Sequence, residues 1–244
     1  MGYSLHDIQQ QFTSMNIPDV SLASGDVYYF STIKNIDYGW GCGWRNIQML
    51  FSWLQTSYSK WFESHHYKYD LPDLRKHLLN AWKQGIDVDG CEQIGTRLEG
   101  TWIGATEAYT LMTGLMLNVG LVDFDFHNRS SAVEALFLFF KDHFSDSSKS
   151  KCHISPCYLQ FQGHSITVIG YCSSLKSLVV FDPDAHQSNK KNTSGFQQDT
   201  MKRMLVNKRF FRDLQYQVLY MKEDLFLENI QERKQIRSTR ISDY

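Results

Sequence analysis

From residue 43 to about residue 57, apolar side chains recur three or four positions apart, at Ile47, Leu50, Phe51 and Leu54, and this spacing predicts a helix. The same period predicts a second helix over 71–84, with Pro72 early and Gly85 at its end, as helix termini prefer. Two more helices are expected over 104–117 and 130–144, the last apolar along one side through Val133, Leu136, Phe137 and Phe140. Residues 27–33 (VYYFSTI) are β-branched and aromatic and predict a strand, as do residues 119–126. Three short apolar runs, 157–162, 166–172 and 178–181, are separated by turn residues and read as a β-meander, with a last strand over 214–221. Residues 87–100 are acidic and punctuated by glycine, which suits a loop or short helix, and 184–207 are polar. No Pro/Gly/Ser linker or internal repeat divides the chain. One domain is therefore expected over 1–227, followed by a polar, frayed tail over 228–244. Helices come first and strands second, so the expected class is α+β with segregated halves.

Composition narrows the function without naming it. Hydrophobic residues make up 42% and charged residues 21%, as in ordinary globular domains. Lys+Arg total 25 against 26 Asp+Glu, a net charge of −1, which argues against a broad phosphate-binding face and so against a nucleic-acid partner. The short pairs Lys190-Lys191, Lys202-Arg203 and Lys208-Arg209 read as solvated surface. The most apolar stretch, 101–122, carries Glu107, Asn118 and several glycines, so no membrane span is expected. Five cysteines, an odd number with no Cys-x-x-Cys pair, and an N-terminus without an apolar leader point to free thiols in the cytoplasm or nucleus. The sequons at Asn128 and Asn192 carry no meaning there. Cys152, His153 and Cys157 lack the two spaced pairs of a zinc site, so neither metal nor cofactor is expected.

The most informative stretch is DYGWGCGWRN, residues 37–46. Three glycines and two tryptophans surround Cys42 immediately before a helix. Unpaired N–H groups and the positive end of the helix favour a thiolate at that position, and nearby amides can hold an oxyanion. A buried, inert cysteine in a glycine turn is the competing explanation. A partner lies in the meander: Gln160, Gln162 and His164 fall two apart in YLQFQGHS and share one face if a single strand runs through them. The next strand ends in Asp182-Pro183, placing a carboxylate where it can orient an imidazole on the neighbouring strand. Cysteine, histidine and aspartate thus assemble as nucleophile, base and orienter, in the order of a papain-like site.

GWGCGWRNIQML, WIGATE (102–107), GHSITVIG (163–170) and FDP (181–183) resemble the catalytic region of the ZUFSP deubiquitinases, which share a papain-like peptidase family with the proteases of ubiquitin-fold modifiers (Ufm). The resemblance runs over about 27–220. It implies a papain-like α+β fold with Cys42 as nucleophile, His164 as general base and Asp182 as orienting acid. It also places Gln160 in the oxyanion hole, with Gln162 as the second candidate. Two departures stand out. The Ufm branch carries its histidine in Asp-Pro-His, whereas here Asp184 follows Pro183 and the next histidine is His186. The zinc fingers and helical ubiquitin-binding modules of larger ZUFSP relatives have no counterpart in this sequence.

The implied partner is ubiquitin or a polyubiquitin chain, and the expected protein is a monomer. Ubiquitin's tail bears arginines and ends in Gly-Gly. Trp40 and Trp44 could wall a channel wide enough only for glycine, or could equally pack the core. Asp87, Asp89, Glu92, Glu99 and Glu107 offer carboxylates for the arginines, although Glu92 and Glu99 read rather as a solvated acidic loop. Glu107 is the best placed, inside an apolar stretch, and Asp87 and Asp89 come next. A protease for another ubiquitin-like modifier and a catalytically inactive ubiquitin-binding module are the alternatives.

Overall fold

The computed structural model describes residues 2–145, 153–185 and 198–242. A short N-terminal layer comprises β1 (Gly2–Tyr3), α1 (Leu5–Ser14), β2 (Val20–Leu22) and β3 (Val27–Tyr28). The helical half follows: α2 (Cys42–Ser57), α3 (Ser59–His65), α4 (Leu71–Lys83), α5 (Val88–Ile94) and α6 (Ala105–Gly114). Then come β4 (Leu117–Asp125), α7 (Arg129–Ser145), β5 (Cys157–Phe161), β6 (His164–Cys172), β7 (Ser177–Phe181), α8 (Gln198–Met204), β8 (Leu205–Asn207), β9 (Gln215–Phe226) and β10 (Thr239–Ser242). The main sheet runs β10-β4-β9-β5-β6-β7-β8, with β2 added against β6. Every pairing in it is antiparallel except β10 with β4. This is the α+β class read from the sequence, with one antiparallel sheet behind a group of helices.

The central element is α2. Every residue from Cys42 to Leu54 is buried, so this helix has no solvent face over its first three turns, as a helix enclosed by other elements should. Its enclosure carries polar groups inward, and each is paired. Asn46 bonds Ser165 and Thr167 of β6, while Arg45 bonds Asp37 and Gln48. These bonds offset the cost of desolvating the groups and lock α2 to β6 in one register.

Two expectations change, and a third resolves to one of its two alternatives. The strand expected over 27–33 shrinks to Val27–Tyr28, because Tyr29 and Thr32 turn their hydrogen bonds to the backbone of residues 182–185. The acidic 87–100 stretch does form a helix, α5, capped by Asp87. Residues 228–242 are not frayed. Lys234 accepts the N–H of Asp87, and β10 adds to the sheet edge, helped by Ser238 to Asp123 and Arg240 to Asp125. An edge strand is held by backbone bonds and needs little apolar alternation, so its sequence carried no core signal.

Candidate active site

Cys42 is the first residue of α2, after Gly41, so its N–H lies in the turn that has no intrahelical acceptor. The loop before it folds around a buried carboxylate. Asp37 accepts the Ile33 N–H at 2.7 Å and Nε of Arg45 at 2.5 Å, and its carbonyl accepts the Gly41 N–H at 2.7 Å. The glycine at 43 serves close approach rather than a positive φ. A Cβ there would lie 2.4 Å from the carbonyl oxygen of Ile103, so the segment entering α6 can cross α2 only over a glycine.

The partner residues come from the β5–β6 hairpin. Gln162 and Gly163 form its turn, Gly163 at φ +75°, and Phe161 pairs with His164 while Gln160 pairs with Ser165. The single strand face expected for Gln160, Gln162 and His164 therefore does not exist, because the chain reverses between them. His164 is still brought to Cys42, as the first residue of β6. Its Nε2 is 2.8 Å from Oδ1 of Asp182, at the end of β7. Nδ1 is left to face the thiol, which lies within hydrogen-bonding reach of His164 and Ser165. His186, the next histidine after the Asp182 turn, lies outside the described residues, as do Cys152 and the sequon at Asn192.

Electrostatics favour a charged pair. Burial pushes the Cys42 thiol up, but the bonds from His164 and Ser165 and the imidazolium charge outweigh it, leaving the thiol below its ordinary value. Burial pulls His164 down, yet the bonds and charges of Asp182 and Cys42 raise it to about 10. The two shifts act in the same sense, each favouring thiolate beside imidazolium over the neutral pair.

Gln160 sits beside this pair, with its side chain already engaged. Its Nε2 donates to the carbonyls of Phe161 and His164 at 3.0 and 3.1 Å, and its Oε1 accepts the Tyr158 hydroxyl at 3.1 Å. Both amide hydrogens are thus used to tie the hairpin turn, and serving an oxyanion means exchanging one of them. Gln162 is exposed in the turn itself. Tyr158, fully buried and raised well above an ordinary phenol by desolvation, was not legible as a site residue. Only its place on β5, two residues before Gln160, could have suggested it.

The expected substrate residues divide. Trp44 is fully buried, with Nε1 donating to the Thr101 carbonyl at 3.1 Å, so it braces the 101–104 segment from below and walls no open channel. Trp40 is half-buried, with the Arg75 guanidinium 5.7 Å over its ring. The exposed indole near the site is Trp102, at 54%. Glu107 is buried and folds back on its own helix, accepting the Gly104 N–H at 2.6 Å. Its carboxyl is raised by burial first, lowered by that N–H, and raised again by the charge of Asp87. Asp87 caps α5 and accepts the Thr110 hydroxyl at 3.2 Å, while Asp89 is exposed. Gly104 joins this acidic corner to the cluster of Cys42, His164 and Gln160, since a Cβ there would lie 3.5 Å from both Gln160 Oε1 and Glu107 Oε2.

A helix-borne thiol, a strand-borne imidazole and a carboxylate behind it, on this α+β frame, define a cysteine peptidase of papain-like fold. The chain belongs to peptidase family C78, which it matches over residues 17–219. It is 48% identical over the full length of both chains to Ubiquitin carboxyl-terminal hydrolase mug105 of Schizosaccharomyces pombe. Zinc finger-containing ubiquitin peptidase 1 of Homo sapiens is 32% identical over 82% of this chain, which spans about a third (37%) of that longer protein. The crystal structure of UfSP from C. elegans superposes with a TM-score of 0.57 at 15% identity, covering 86% of this chain and 35% of the other, a likeness of fold.

Proposed function

We propose that this peptidase is a deubiquitinase, cleaving the bond that follows ubiquitin's C-terminal Gly-Gly. The observation that carries the reading is the acidic corner at Gly104. Glu107, which feels the charge of Asp87, adjoins the Cys42–His164–Gln160 cluster across Gly104, beside an exposed indole. An arginine of the tail would relieve the repulsion between them, and Trp102 could flank the glycines where Trp44 cannot. The relatives named as ubiquitin hydrolases support the same substrate.

In this mechanism the Cys42 thiolate attacks the carbonyl carbon of the last glycine. The new oxyanion is met by the Cys42 N–H and by the Gln160 amide, once the amide releases one carbonyl of the turn. As the C–N bond breaks, the Nδ1 proton of His164 passes to the departing amine, leaving a thioester and neutral imidazole. His164 then takes a proton from water, whose oxygen attacks the thioester, and the C–S bond breaks to restore the thiolate. Asp182 holds Nε2 throughout and keeps Nδ1 aimed at the reacting atoms.

The test is covalent capture by ubiquitin carrying a C-terminal electrophile, alongside the same probe built on a Ufm-type modifier. Adduct at Cys42 with ubiquitin supports the reading. Capture only of the other modifier assigns the enzyme to it, and capture of neither removes both.

A further inference from the structure

One carboxylate beside the catalytic pair has no part in the mechanism above. The turn Asp182-Pro183-Asp184 is held from the segment after β3, where the Tyr29 hydroxyl donates to the Asp182 carbonyl at 2.7 Å and the Thr32 N–H to the Pro183 carbonyl at 2.9 Å. The Thr32 hydroxyl donates to Oδ1 of Asp184 at 2.6 Å, and the Asp184 N–H donates to Oδ1 of Asp182 at 2.9 Å. So fixed, Asp184 presents Oδ2 at 3.7 Å from Nδ1 of His164. The imidazole therefore has a carboxylate on each nitrogen, and the one at Nδ1 stands on the side that serves Cys42.

The geometry points to Asp184 as a positioning residue of the catalytic pair, which together with Asp182 clamps His164 and keeps the imidazolium charged until its Nδ1 proton is delivered. The inference rests on Cys42 and His164 being nucleophile and base. At 3.7 Å the contact is too long for a hydrogen bond but close enough for an ion pair in a half-enclosed site. A negative charge there favours imidazolium and disfavours the thiolate. It does not acidify Cys42. It holds the proton on the ring while the C–N bond breaks, when loss of the thiolate charge to the new C–S bond has removed one of the ring's stabilising neighbours. Among the described residues, the other charged or titratable groups around the pair are Tyr29, bonded to the Asp182 carbonyl, Tyr158 on β5 and Glu107 on α6, on the Cys42 side, and Arg203 on α8, which lines a cavity of about 290 Å³ with Asp182.

The test uses Asp184→Asn, whose side-chain oxygen still accepts from Thr32 while the charge is gone. In a Cys42→Ala background the His164 imidazole is titrated by NMR, which needs no substrate. The expected result is a downward shift of roughly 0.5–1 unit on adding Asp184→Asn, typical of losing one nearby opposite charge in a partly exposed site. Asp184→Glu should recover most of the shift. An unmoved or raised titration overturns the clamp. With Cys42 intact, the alkaline limb of kcat/KM should move down by a similar amount with KM at neutral pH unchanged. A limb that stays in place, despite an NMR shift, overturns the catalytic half of the inference. If the unmutated protein cleaves no ubiquitin substrate, that sinks the deubiquitinase reading, and the NMR titration still decides Asp184.

Discussion

The side-chain amide of Asn46 donates to the Ser165 hydroxyl at 2.9 Å, one helical turn after Cys42 and one residue after His164. Its carbonyl oxygen also accepts the Thr167 hydroxyl at 2.7 Å. Cys42 and His164 lie 122 positions apart in sequence and on different elements, and this buried bracket fixes one against the other. Replacing Asn46 by Ala would take its acceptor from the buried Thr167 hydroxyl and release Ser165, still bonded to Cys42 and Tyr158, from α2. The expected cost is about 1–3 kcal/mol in urea denaturation, with kcat falling and KM holding. Unchanged kcat in a destabilised variant would reduce Asn46 to a packing residue.

Cys42 should alkylate below the pH of an ordinary thiol, because His164 and Ser165 outweigh its burial. His164→Ala removes the largest lowering influence and leaves desolvation opposed only by the Ser165 bonds, so the thiol should titrate higher than in the unmutated protein. Iodoacetamide rates against pH measure both. A mutant whose alkylation profile overlays the original would mean that another group activates the thiol.

Asp182→Asn tests the second half of the pair through stability. His164 is raised from 6.5 in the folded protein, so the stability it contributes is fully present below pH 6.5 and is lost as pH rises through the folded value. The lowered thiol has the opposite linkage, so both variants are compared in a Cys42→Ala background. Denaturation midpoints should fall between pH 6.5 and the upper end of the titration, and Asp182→Asn should flatten that fall. Equal slopes would show that Asp182 does not hold the imidazolium.

Much of this arrangement was legible from residue types and spacing. Four of the helices lie where the 3.6-residue period put them, and the Asp182 carboxylate reached His164 because a short antiparallel turn leaves little freedom of register. What misled was reading YLQFQGHS as a single strand. A two-residue turn closed by Gly163 fits inside a run that alternates well, and alternation alone does not reveal a reversal. Trp44 takes the core role of the two offered for it, and Trp102 gave no sign of its exposure, for a similar reason. Both are tryptophans in glycine-rich motifs, and only the crossing of the 101–104 segment over Gly43 decides which is covered. The short elements α3, α8 and β8 carry too few residues to show a period of their own, whereas α1 carries Leu5, Ile8 and Phe12 at helical spacing and was legible.

Gly43 makes that crossing testable. Adding a methyl group drives it into the Ile103 carbonyl and toward the Tyr158 hydroxyl, and backbone gives way less readily than a flexible side chain. Gly43→Ala should cost about 1–3 kcal/mol, the usual price of overpacking, and should slow turnover by displacing the floor of the tail site. Full stability in this variant would mean that the two segments separate freely.

The last prediction concerns Gln160, where two roles compete for the same amide. Its Nε2 bonds the carbonyls of Phe161 and His164, and its orientation is set by the Tyr158 hydroxyl on Oε1. If it also serves the oxyanion, Gln160→Ala should lower kcat by about 10²–10³ with little change in KM, since that bond forms mainly in the transition state. Loss of the turn alone could mimic such a result by letting His164 drift. Alkylation of Cys42 separates the two, because displacement at an alkyl halide develops no oxyanion yet still depends on the thiolate that His164 sustains. An oxyanion donor predicts lost turnover with iodoacetamide reactivity intact. A turn brace predicts that both fall together, and then the second donor must be sought elsewhere. Gln160→Glu sharpens the contrast: its carboxylate cannot donate to either turn carbonyl and would repel the oxyanion, so turnover should fall at least as far as in the alanine variant.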